Sequence, residues 1–161
     1  MAVDPREIRA HMQRLLTEES VAIGKLEQIL HREAGVLRGD DVGAVEQIGA
    51  ARHDCTALLA RLDGERRDAC RMLSFGTGNQ AIEKLLRWCD GSGELHRTWV
   101  KNLDVARRCK AQNERNGAVV SVKLNHLGRL LTTLRGGTEP AVYATGGYGK
   151  TAFATRELGQ A

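Results

Sequence analysis

Residues 144–152, ATGGYGKTA, hold most of the ingredients of a phosphate-binding loop. Such a loop runs Gly, any four residues, then Gly-Lys-Ser/Thr, so that backbone N–H groups surround the phosphates and the lysine reaches them. Gly149, Lys150 and Thr151 supply the end of the pattern, but Ala144 stands where the first glycine belongs. The loop also needs a strand before it and a helix after it. Here a helical pattern and a break at Gly136 and Gly137 come before, and only ten residues follow Thr151. No room is left for a metal-binding acid or a base-recognition element. The stretch reads as part of a flexible tail.

Other chemistry-bearing residues are scattered. The five histidines, His11, His31, His53, His96 and His126, have no second histidine, cysteine or convincing carboxylate at i+4, so they read as solvated helix-surface residues. Cys55, Cys70, Cys89 and Cys109 form no CxxC pair and read as reduced, small hydrophobic residues of a cytosolic protein. No serine sits in a nucleophile-elbow context, and the carboxylates mostly fall on solvated helix faces beside Lys or Arg. These patterns point to no catalytic residue, no metal, no cofactor and no small-molecule substrate.

The elements that carry these residues are helical. With 161 residues the chain can form one domain with a real core. Aromatic residues are only 4% and charged residues 27%, a mixture that suits long helices packed along aliphatic seams and suits strands poorly. The opening MAVDPREIRAHMQ is charged and lacks the apolar core of a signal peptide. No apolar run approaches the ~18–20 residues needed to span a membrane.

The first helix is expected to start at Asp4 and Pro5, a capping residue followed by a residue suited to the first helical position, with Glu7 placed for a capping box. Its apolar stripe runs from Ile8 through Leu37, and Gly39 then Asp40 mark a stop and a new start. The second helix covers about residues 41–73. Arg52 and Arg66 occupy seam positions where apolar residues belong, which reads as snorkelling at the bundle edge. After SFGTGN comes a short helix, QAIEKLLRWC, and then DGSG. Gly24, Gly35, Gly43, Gly49 and Gly64 interrupt the first two helices, each costing about 1 kcal/mol relative to alanine.

The third long segment is the most informative. Trp99, Leu103, Ala106, Asn113, Gly117, Val120, Leu124, Leu127, Leu131 and Leu134 keep one 3–4 phase, with Cys109 or Lys110 filling the gap. Asn116 and Gly117 would ordinarily signal a turn, but a hairpin has no reason to preserve the phase across them. One continuous helix over about residues 94–135 is expected, ~60 Å long, overhanging two helices of ~50 Å. Beyond Gly117 a second stripe, Val119, Val122 and Leu130, widens the apolar face. Either it receives a partner helix, or AIEKLLRW covers it. The segment 94–135 holds nine Lys/Arg against three Asp/Glu, which reads as a solvated basic face or as a contact for an acidic partner.

Trp99 and Leu103, then NERNG with Asn113, Asn116 and Gly117, then an apolar helix ending LLTTLRG and a glycine-rich tail with tyrosines resemble the FlgN-type flagellar export chaperones. LLARLDGERRDACRML before a glycine-containing break, and the close TRELGQA, fit as well, so the resemblance covers nearly the whole chain. It implies a cytoplasmic chaperone that binds the C-terminal helical segments of hook-associated proteins, prevents their early assembly and delivers them to the export gate. The client would bury its apolar side on Val119, Val122, Leu127, Leu130 and Leu131. The tail would dock on the gate through Tyr143 or Tyr148. Asn113, Asn116 and Gly117 would have packing roles, the asparagines as buried polar groups and the glycine as a point of close helix approach. The fold expected is all-α, an antiparallel bundle of three long helices and one short one over residues 1–135, with a flexible tail over 136–161. The rival readings are a self-associating helical adaptor, and a nucleic-acid-binding bundle using the basic third helix. The scarcity of aromatic platforms counts against the latter.

Overall fold

The computed structural model describes residues 3–134; the loop-like stretch 144–152, Tyr143, Tyr148 and the tail segment 136–161 lie outside them. The described residues form four helices and no strand: α1 Pro5–Val36, α2 Val42–Met72, a short α3 Asn79–Cys89, and α4 Glu94–Leu134. Asp4 caps α1 by accepting from the Arg6 N–H at 2.8 Å, with Pro5 at the first turn. Asp41 caps α2 through the Ala44 N–H at 3.0 Å. Asn116 and Gly117 lie inside α4 with no break.

Helix α1 is the central element. Helices α2 and α4 both pack along it, while α2 and α4 approach each other only through long side chains. α2 runs antiparallel to α1, and α4 runs parallel to it. The parallel register is visible in three contacts: Asn102 Nδ2 donates to Leu16 O at 3.1 Å, Cys109 Sγ to Ile23 O at 3.8 Å, and Asn116 Nδ2 to Leu30 O at 2.9 Å, each pair 86 positions apart. A constant offset at heptad steps is the geometry of a parallel coiled-coil pair.

Two apolar clusters fill the bundle. One joins Met12, Leu16, Leu62, Leu85, Leu86 and Trp99, and brings in α3. Helix α3 buries Ala81, Ile82, Leu85, Leu86 and Cys89, one face of an 11-residue helix, against the start of α1 and α4 and the end of α2. The other cluster holds Ile23, Leu26, Leu30, Ile48, Leu59 and Cys109 farther along. All four cysteines are buried and free. Burial pushes the Cys109 thiol up to about 11, which keeps it protonated and unreactive.

The sequence reading of Arg52 and Arg66 needs correcting. They do not snorkel to water. Arg66 is 4% exposed, ion-pairs with Glu19 of α1 and with Asp63 (2.6 Å), and lies 4.4 Å over the Trp99 ring. Asn102 completes this layer, donating to Glu19 Oε2 at 3.1 Å and accepting from Ser20 Oγ at 2.7 Å. Two heptads on, the same residue types recur on each helix. Arg52 meets Glu33 at 3.2 Å, and Asn116 donates to Glu33 Oε2 at 2.7 Å. A buried charge is tolerated when it is paired and hydrogen-bonded, and each layer does this across three helices. Most described carboxylates are exposed, as expected, and the buried exceptions are Glu19, Glu33 and Asp90.

Candidate functional site

The free face of the molecule begins where α1 ends. The last tie between α4 and the rest of the bundle is Lys123, whose Nζ donates to Gly39 O at 2.6 Å and lies 3.6 Å from Asp40. Helix α4 continues to Leu134, so about 16 Å of helix stands past the bundle at the usual rise per residue. From Val119 onward its large apolar side chains other than the half-buried Val120 are exposed, from Val119 at 40% to Leu134 at 82%. Val122, Leu124, Leu127, Leu130 and Leu131 lie between these limits. Contiguous exposed apolar surface of this kind is unusual on a folded helix.

The alternative in which AIEKLLRW covers this end does not hold, because α3 packs on the opposite end of the bundle beside Trp99 and Leu95. The pattern within the overhang is also specific. Positions 102, 109 and 116 face α1, and continuing by sevens reaches Lys123 and Leu130. The companion series from Trp99 through Ala106 and Asn113 continues to Val120, Leu127 and Leu134. Leu127, Leu130 and Leu134 therefore occupy positions that would face α1 if α1 were longer. Val122 and Leu131 flank this seam.

The residues of the NERNG signature lie together at the inner border of this surface. Asn116 is 1% exposed and joins Leu30, Glu33 and Gln112, the last donating to its Oδ1 at 2.8 Å. Half-buried Asn113 accepts from Arg52 Nη1 at 3.3 Å. Gly117 does not permit a close helix approach: a Cβ added there meets nothing within 4 Å, so that expectation is corrected. Trp99 is a core residue far from the overhang, under Arg66. Of the expected seam, Trp99 and Cys109 are buried and Leu103, Ala106, Asn113 and Gly117 are half-buried, while Asn102, Gln112 and Asn116, each one position before an expected seam residue, are buried as well. Leu103 packs only partly against the core. Sequence reasoning passed over Glu19, Glu33 and Asn102. The signal that could have found them is Glu, Arg and Asn each recurring two heptads apart on separate helices.

The basic character of α4 is partly neutralised within the molecule. Arg107 pairs with Asp104 at 2.6 Å and Arg108 with Glu27 of α1 at 2.7 Å. The Arg108 hydrogen bond holds the Glu27 carboxyl below its ordinary value. Among the described residues no cluster of three His, Cys, Asp or Glu side chains could hold a metal ion, and no helix is long and apolar enough to cross a membrane.

The sequence model of a family described as FlgN protein matches residues 9–154. No curated protein and no solved structure matches the chain.

Proposed function

The chain belongs to the FlgN family of flagellar export chaperones, and we propose that the α4 overhang is where it holds its clients, the C-terminal helical segments of hook-associated proteins. The observation that carries this reading is the row of unpartnered apolar side chains at seam positions past the end of α1. An unassembled client helix has an apolar stripe that would otherwise aggregate or assemble early. Laid along α4, it buries that stripe on Val119, Val122, Leu127, Leu130 and Leu131. Each leucine covered contributes ~1.5–3 kcal/mol, offset in part by ordering the client. Binding and release in the cytoplasm, with no bond made or broken, require no catalytic residue and no cofactor. Delivery to the export gate is assigned to the tail, with Tyr143 as first anchor and Tyr148 as second, since isolated aromatics can fill a pocket on a partner.

The test is co-purification of the full chain with C-terminal segments of hook-associated proteins from the same cell. Leu130→Asp is expected to weaken binding by about 10–100-fold while circular dichroism stays unchanged. Unweakened binding, or an unfolded variant, would reject the surface. Truncation after Gly137 should keep client affinity and reduce export, with Tyr143→Ala reproducing part of that loss; normal export by the truncated chain would reject the tail's role.

A further inference from the structure

The surface also specifies the chemistry and direction of what it binds. Resting on the reading of the overhang as a helix-binding site, we infer that the bound helix runs parallel to α4 in line with α1, and carries a carboxylate four residues after the side chain covering Leu130, where it pairs with Arg129.

Continuity with the α1 interface gives the direction. Contacts from Asn102, Cys109 and Asn116 to α1 keep a fixed offset of 86 over two heptads, which defines a parallel seam. That seam ends for want of α1, not for want of apolar residues on α4. A helix in line with α1 continues the same knobs-into-holes packing with no change of crossing angle.

The carboxylate follows from an interaction already present inside the bundle. Ile23 of α1 faces Cys109, and four residues after it Glu27 accepts from Arg108 Nε at 2.7 Å. Arg108 is the residue just before Cys109. Three heptads on, Leu130 takes the place of Cys109 and Arg129 that of Arg108. The pattern thus presents the same cation beside the same seam position, with its acidic partner missing. From residue 115 to residue 134 the chain has Arg115, Lys123 and Arg129 and no acid. Arg115 is engaged by Gln112 (2.7 Å) and Lys123 by Gly39 and Asp40. Among the described residues, no carboxylate reaches Arg129. Two copies of this chain meeting through their overhangs would face cation with cation, so the occupant is a different, acidic helix.

The test uses the full chain and two synthetic amphipathic helical peptides with leucine at 3–4 spacing. One carries Glu, the other Lys, four residues after each seam leucine. By fluorescence anisotropy at low salt, the Glu peptide should bind about threefold to tenfold tighter, and Arg129→Glu should reverse the preference. A spin label on the peptide's N-terminus should broaden the signals of residues 119–123, and one on its C-terminus those of residues 130–134. Equal binding of both peptides, or the reversed broadening pattern, would overturn the inference. If Leu130→Asp still abolished client binding, the proposed client surface would survive that failure. Self-association lost in Leu130→Asp, or binding to phosphatidylserine vesicles in place of either peptide, would overturn both.

Discussion

Over residues 94–116, α4 buries Asn102, Cys109, Gln112 and Asn116 along with Leu95 and Trp99; over residues 119–134 it exposes Leu124, Leu127, Leu130, Leu131 and Leu134. Hydropathy alone would assign these halves the other way round. The polar half is inside because each polar group there meets a designated partner on α1 or α2. Such side chains add little net stability, but a mispaired register would strand them, so they fix which helix lies where. The apolar half needs no designated partner. Its leucines carry no hydrogen-bonding group that must find a partner, so they stay exposed without stranding a polar atom. One half specifies the fold of the chaperone and the other remains available for a partner.

The largest effect should come from breaking the polar half. Arg66→Ala removes the partner of buried Glu19 and the cation over Trp99. An uncompensated buried carboxylate costs about 3–5 kcal/mol, so the urea midpoint should fall far, and the chain could lose its fold at 37 °C. By contrast, Leu130→Asp should change stability by no more than about 0.5 kcal/mol, as expected for an exposed position. Similar losses from the two substitutions would erase the distinction between the halves.

A smaller effect should appear in acid, at the joint where α4 begins. Buried Asp90 accepts from Ser92 Oγ at 2.6 Å, from the Leu95 N–H at 2.9 Å and from Arg9 Nε at 3.3 Å. The Ser92 hydroxyl first, then the Leu95 N–H, holds its carboxyl well below the usual carboxylate range. A depressed value in the folded state means stability that is complete above the ordinary carboxylate pKa of about 4 and is lost as pH falls below it. Asp90→Asn should cost about 1–2 kcal/mol at neutral pH and flatten the fall in stability below about pH 4. An unchanged acid slope in the variant would mean that other carboxylates carry it.

Much of this was readable in the sequence, and the misses share a cause. The three long helices and the short one follow from apolar periodicity and capping residues. The continuity of α4 follows because the phase survives Asn116 and Gly117. The overhang follows from helix lengths alone. The polar layers were not readable by periodicity, because a stripe search treats Glu19, Glu33, Arg52, Arg66 and Asn102 as gaps or edges. It therefore found Trp99 and Cys109 but chose Leu103 over the neighbouring Asn102 and Gly117 over the neighbouring Asn116. Only the three-dimensional layer, with Glu, Arg and Asn drawn from three different helices, reveals why those residues are tolerated inside.

Gly117 sits at the border between the two halves and gives the smallest expected effect. If it served close packing, alanine there would clash and the polar layer around Asn116 would be disturbed. The geometry says otherwise: no atom lies within 4 Å of an added Cβ, and the residue is helical with no positive φ. Its lack of a side chain therefore only raises the conformational entropy of the unfolded chain and weakens the helix in the last turns that α1 still supports. Gly117→Ala should stabilise the protein by about 0.5–1 kcal/mol in urea unfolding. It should also slow amide exchange over residues 118–130, because helix propagates more readily into an unsupported end. Client binding should not weaken, since the substitution adds no bulk to the seam. A loss of stability would show that a neighbouring helix does close on Gly117. A gain in stability with weaker client binding would instead show that bending at this joint is part of how the overhang accommodates its partner.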